Sequence, residues 1–351
     1  MAFELGIFEE FWRRAGQSEA GAFRDAFAQL DVAEQCGLDV AWLAELHFAP
    51  QRSVLAAPLN VASAYAARTK RIKIGIAVQV LPLCHPLRIA EEVATVDHIS
   101  GGRLIFGVGR SGFARTYEAY GIPYAESRER FQEVLTIIEK AFTEERFSYE
   151  GRWHAYRNVH LVPKPLQKPY PEIRIAASAY DTYPQIGAQG YPILIAVRQG
   201  KVEELAPHIT SYREAYARSG KPGHGRIYLR VPVYVGATSE EARAEPEQSI
   251  MTFYRELGAQ IAKTAAGPGV LASENRGARG EALLNVTYEE TLAQKVIVGT
   301  SAEVAVRINE LKESLGIDGI LAEPNCGGLI PHDKVIASLG RLGSEVGPLV
   351  R

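Results

Sequence analysis

Three stretches of the chain carry side chains able to do chemistry. In Leu43-Ala44-Glu45-Leu46-His47-Phe48 a carboxylate and an imidazole stand two residues apart. Residues so spaced on a strand share a face, so Glu45 and His47 could point together into a site, the carboxylate orienting an imidazole that gives or takes a proton near neutral pH. The structural alternative is a buried His–Glu pair that fixes the end of an element. In Gly107-Val108-Gly109-Arg110-Ser111-Gly112 the pattern is formally G-x-G-x-x-G. Glycines at Gly107 and Gly109 let backbone approach a ligand closely, and Arg110 can meet an anion there. A nicotinamide site is the minor reading, because three strand–helix units precede the motif and no helix obviously opens at its third glycine. In Ala176-Ala177-Ser178-Ala179 small residues and a hydroxyl precede a helical stretch. This suits a phosphate held at a helix N-terminus or, about equally, an ordinary Ser cap. Asp181 adds negative charge at that point and reads as the helix cap.

Other chemistries lack their residues. The remaining histidines, such as His85, His98 and His154, form no H-E-x-x-H or similar ligand spacing, so a metal centre has no support. A G-x-S-x-G nucleophile elbow is absent. Three scattered cysteines, Cys36, Cys84 and Cys326, argue against a disulfide framework or a structural zinc. With 39 Lys plus Arg against 41 Asp plus Glu, the formal charge of -2 provides no basic field for nucleic acid or anionic lipid. The longest apolar run, Ile74 to Leu83, is interrupted by Gln79 and falls short of the ~20 residues that span a bilayer. The first residues, with Glu4, Glu9 and Glu10, lack the pattern of a signal peptide, so a cytoplasmic protein is expected.

The elements that must hold these residues alternate. Strand-like runs at 3–8, 40–43, 72–81, 103–108, 173–176, 193–196, 228–235 and 317–322 are interleaved with helical periodicity at 19–35, 59–67, 86–99, 127–142, 181–189 and 202–218. Such alternation implies right-handed crossovers and a mainly parallel sheet, either a closed (β/α)₈ barrel or an open doubly wound sheet. A count of about eight strands favours the α/β class in its closed form, a single TIM barrel over 1–351 with insertions. Two segments interrupt the alternation: a hairpin at 147–162, and the Gly-rich stretch Thr264 to Leu284, which reads as a long mobile lid loop. In barrels the site lies among the loops after the strands, which is where Glu45, Gly109, Arg110, Ala177 and Ser178 fall.

Several of these segments together resemble the bacterial luciferase-like flavin monooxygenases. The resemblance is carried by Gly37 to Phe48, Val80 to Arg88, Asp97 to Leu104, Phe106 to Arg110, the Ser127-Arg128 pair and Gly299-Thr300, and runs from residue 3 to about 346. It implies a (β/α)₈ barrel that binds FMN as reduced flavin from a separate reductase, reacts it with O₂, and works as a homodimer. It further implies that Arg110, Arg128 and Ser178 hold the flavin phosphate, beside Gly109 and Ala177. Ala77-Val78 falls where the family often has a non-prolyl cis peptide under the flavin ring. Three positions depart from luciferases: Leu46 replaces the first of two adjacent histidines, Gly109 a reactive cysteine, and Asp181 a phosphate-binding threonine. Light emission and luciferase-like aldehyde oxidation are therefore not expected, whereas the flavin–oxygen chemistry belongs to the cofactor and survives. The leading expectation is an oxidoreductase, a monooxygenase acting on a small organic substrate, with His47 and Glu45 as its catalytic pair. The alternatives are hydride transfer with a deazaflavin coenzyme on the same barrel, and a flavin-binding protein without catalysis.

Overall fold

In the computed structural model, which describes residues 3–177, 179–196, 201–264 and 276–351, the apolar runs become barrel strands buried on both faces, and only the two hairpin strands, Phe147–Glu150 and Ala155–Val159, are largely exposed. The strands are β1 (Glu4–Glu9), β2 (Val40–Leu43), β3 (Lys73–Ile76), β4 (Gln79–Val80), β5 (Leu104–Gly109), β6 (Phe147–Glu150), β7 (Ala155–Val159), β8 (Ile173–Ala177), β9 (Ile193–Ala196), β10 (Ile227–Val235), β11 (Ile297–Gly299) and β12 (Gly319–Glu323). Strands β1, β2, β3, β5, β8, β9, β10 and β12 pair in parallel in that order, and β12 returns to β1, closing an eight-stranded barrel. β4 continues the line of β3 beside β5, and β11 pairs with the upper half of β10. The expected run 72–81 is therefore interrupted: the Ala77–Val78 peptide is cis, and Leu81–Leu83 turns into a 3-10 helix.

The helices pack outside. They are α1 (Glu19–Gln35), α2 (Pro58–Arg68), α3 (Pro86–Ser100), α4 (Ala114–Ala119), α5 (Ser127–Thr143), α6 (Tyr183–Gln189), α7 (Ala206–Arg218), α8 (Ser239–Ala244), α9 (Glu247–Thr264), α10 (Arg276–Leu284), α11 (Tyr288–Gln294), α12 (Ser301–Leu315), α13 (His332–Arg341) and α14 (Gly347–Val350). Local sequence sets their ends. Ser18 caps α1 through the Gly21 N–H, and Thr300 with Glu303 forms a capping box on α12. Gly101, at φ 65, ends α3 in the left-handed conformation glycine tolerates. A short helix, α4, does open just after the third glycine of the G-x-G-x-x-G stretch.

The barrel interior is plugged rather than hollow. Trp42 is fully buried, and its ring occupies the space that side chains at Gly6 and Gly75 would need, a Cβ at Gly75 coming within 2.2 Å of the ring. Below it Arg174 pairs with Glu4 at 2.7 Å and lies 3.6 Å over the Tyr228 ring. Phe8, Ile105, Leu194 and Leu321 pack with Trp42 and close the barrel beneath its mouth.

Of the two interruptions expected from the sequence, β6 and β7 form an antiparallel pair between α5 and β8. The expected lid loop is not one loop: Arg276–Leu284 is helix α10, packed so closely on α9 that Gly280 meets the backbone of Gly258 and Ala262. Glycine spacing there serves helix contact, which a reading of glycine as loop former misses. The rest of that stretch, 265–275, lies outside the described residues.

Candidate active site

A cavity of about 340 Å³ opens at the C-terminal ends of the barrel strands. Its wall draws on all eight barrel strands, β1, β2, β3, β5, β8, β9, β10 and β12, and on the segments that follow them, the position where this architecture places chemistry. Two polar ends enclose an apolar middle formed by Phe8, Ala44, Leu46, Ala77, Val78, Ile175, Leu194 and Leu321.

The first end is cationic. Arg110 follows β5 directly, and its Nη1 donates to Ser127 Oγ at 3.0 Å, while the Tyr117 hydroxyl donates to the Arg110 carbonyl. Arg128, one residue further along α5, has no hydrogen-bond or ion-pair partner among the described residues, and like Arg110 it lines the cavity. Neither guanidinium is neutralised by a carboxylate among the described residues, and both stand beside the positive end of a 17-residue helix. Gln132 on α5, with Thr182, Gln185 and Gln189, adds uncharged donors and acceptors to the lining. Two guanidiniums without a carboxylate partner among the described residues, and a helix N-terminus, at the mouth of an apolar slot fit a phosphate whose organic part lies deeper.

The middle fits a flat ring. Gly109 brings backbone against Val78: a Cβ at Gly109 would lie 2.7 Å from Val78 Cγ2. The space that a cysteine would need here is thus taken by Val78. Ala77 and Val78, joined by the cis bond, form part of the wall, and so does Ala177, the last residue of β8, the strand on the other side of β5. Ser178 lies outside the described residues. Asp181 is exposed in a 3-10 turn and makes no side-chain cap for α6.

Glu45 and His47 meet as the sequence suggests, with His47 Nε2 2.7 Å from Glu45 Oε1. Strand β2 ends at Leu43, so the two residues sit on the loop beyond it. Glu45 lines the cavity but is fully committed: its other oxygen accepts from Val80 N at 2.9 Å and Gln79 Nε2 at 2.6 Å. It thereby ties the β2 loop to the segment just after the cis bond. His47 is not on the cavity wall. Its ring is buried between Glu45 and Tyr120, whose hydroxyl lies 3.4 Å from Nδ1, and Leu46 takes the wall position instead. Burial, reinforced by the Glu45 charge, pushes the neighbouring Cys84 thiol far up, so it is no nucleophile.

Sequence reasoning missed the second polar end. There Arg52 makes a bidentate pair with Glu10 at 2.7 Å for each bond, and Arg230 pairs with both Glu10 and Glu323 at 2.8 Å. Burial works against the charge on Arg230, but Glu323 and Glu10 outweigh it and hold it protonated. Burial also raises Glu323 against the pull of Arg230, and it raises Glu9 well above its ordinary value, helped by the charge of Glu323. A signal existed: Arg230 is the only charged residue in the strand Ile227–Val235, and a lone cation in an apolar strand must be paired inside.

Comparison with known proteins bears on the family and the fold. The family model described as "Luciferase-like monooxygenase" matches residues 3–319. Limonene 1,2-monooxygenase of Rhodococcus erythropolis is 26% identical over 319 residues, 89% of this chain and 78% of that protein. The oxygenase component of the flavin-dependent trigonelline monooxygenase of Acinetobacter baylyi is 26% identical over 357 residues, 99% of this chain and 95% of that one. Among solved structures, the oxygenating constituent of 3,6-diketocamphane monooxygenase from Pseudomonas putida, in complex with FMN, superposes with a TM-score of 0.83 at 22% identity, over 100% of this chain and 99% of that one. No helix among the described residues is long and apolar enough to cross a membrane.

Proposed function

Because this chain belongs to the luciferase-like monooxygenase family, we propose that it is a flavin-dependent monooxygenase, using reduced FMN and O₂ to insert one oxygen atom into a small organic substrate. The observation that carries the reading is the polarity of the cavity: two guanidiniums, Arg110 and Arg128, without a carboxylate partner among the described residues, at one end of an apolar slot in the barrel mouth. They would hold the phosphate, with Ser127 and Tyr117 fixing the direction of Arg110. Ala77, Val78, Gly109 and Ala177 would bound the ring. Bound reduced flavin supplies the electrons and activates dioxygen; the chain supplies position, charge and dryness.

Glu45 and His47 enter this proposal in a revised role. Glu45 accepts three hydrogen bonds and holds the 79–80 segment against the cavity, while His47 supports Glu45 from behind. The pair positions the wall that the ring rests on, and Leu46 keeps that wall apolar. The trigonelline relative is an oxygenase component, which supports delivery of reduced flavin by a separate reductase. A homodimer belongs to the same proposal and is read by sedimentation velocity. The direct test is to titrate purified protein with FMN and with riboflavin: FMN binds more tightly because of its phosphate, and equal affinities overturn the assignment of the cationic end.

A further inference from the structure

We propose that the Arg52–Arg230 end of the cavity is the substrate subsite and that it selects an uncharged oxygen acceptor, a carbonyl, on an otherwise apolar molecule. This rests on the reading of the opposite end as the phosphate site. The two ends stand on opposite sides of the barrel: Arg110 and Arg128 follow β5, whereas Arg230 lies on β10 and Arg52 on the segment after β2, flanking β12 and β1.

Their electrostatics differ in kind. Arg110 and Arg128 carry no carboxylate partner among the described residues. Arg52 gives Nε and Nη2 to Glu10, and Arg230 gives Nε and Nη2 to Glu323 and Glu10. Two guanidiniums thus face two paired carboxylates, and the Nη1 of each arginine meets no acceptor among the described residues. The site presents hydrogen-bond donors without excess positive charge. An anion entering it would lose its hydration with no net charge to offset the loss, whereas a carbonyl loses little and gains charge-assisted donors. The donors are held in place: the Arg230 guanidinium lies 3.8 Å over the Phe8 ring, and that of Arg52 lies between the rings of Trp12 and Phe253 at 5.3 and 5.5 Å. Phe8 and Leu321 next to them provide the apolar surface for the rest of the molecule.

The test uses the full chain saturated with oxidised FMN and three probes, cyclohexanone, cyclohexane and cyclohexanecarboxylate, with binding read by ligand-observed NMR. Cyclohexanone is expected to bind about tenfold tighter than either other probe. Arg52→Met should remove that preference and leave FMN affinity unchanged. Arg52→Lys, which keeps the charge beside Glu10 and loses the guanidinium fork, should do the same if the first variant does not fold. Tighter binding of the carboxylate, no preference among the probes, or an equal loss of FMN affinity in the Arg52 variants overturns the proposal; the last result would mean that these donors hold the flavin ring. Failure of the unaltered protein to bind FMN at all would instead overturn the reading on which it rests.

Discussion

At the scale of single residues, the site is a division of labour between arginines that are paired and arginines that are not. Arg110 and Arg128 are available to an anion because no carboxylate among the described residues pairs with them. Replacing either with Ala should weaken FMN binding about tenfold to a hundredfold, the worth of a charge-assisted hydrogen bond. Riboflavin, lacking the phosphate, should bind both variants as it binds the unaltered protein; fluorescence titration decides. Glu45 yields a different prediction. Its three buried hydrogen bonds come from Val80 N, Gln79 and His47, and Glu45→Gln turns one acceptor oxygen into a donor facing other donors. The expected cost is about 1–3 kcal/mol, seen as a lowered melting temperature. Arg110 and Glu45 were legible from residue type and position. The interiority of Arg52, Glu10 and Glu323 was not, because each falls at a strand end or on a loop where charge is ordinary, and only the closed barrel turns them toward each other.

At the scale of elements, the turn of the hairpin β6–β7 is held onto α5 chiefly by the Glu133 carboxylate, with Arg152 also pairing with Glu129 at 2.8 Å. Glu133 accepts from the backbone N–H groups of Arg152, Trp153 and His154, and from the His154 ring. Burial alone would raise its pKa, but these donors outweigh burial and hold it below the usual 4.5. The folded-state value is thus depressed, so the stabilisation is complete above the unfolded value and is lost as pH falls through the folded one. Glu133→Gln should therefore destabilise the protein at neutral pH and flatten the loss of stability below about pH 4.5, as followed by urea unfolding at a series of pH values; an unchanged acid limb would contradict the assignment. The hairpin was legible as an interruption of the alternation, but its dependence on Glu133 was not, since nineteen residues separate that carboxylate from Arg152. The helix α10 was missed for the opposite reason: glycines at Gly277 and Gly280 lower helix propensity, and only contact with α9 reverses the preference.

At the scale of the molecule, alternation of strand and helix narrowed the fold to a closed barrel or an open doubly wound sheet, and the count of about eight strands favoured the barrel. What alternation does not carry is which face of each strand end borders the cavity. His47 shows this: spacing of two after Glu45 suggested a shared face, but β2 ends at Leu43 and the loop presents Leu46. The whole-molecule account is a barrel with a phosphate end, an apolar ring site and a charge-compensated substrate end in one cavity. Its central claim is that reduced FMN and dioxygen react there to oxygenate a substrate. Turnover with reduced FMN under isotopically labelled O₂, beside an anaerobic control, tests that claim most directly. One labelled oxygen atom in the product and no conversion without O₂ is the predicted result; product formed anaerobically, or label found only in water and peroxide, would contradict it.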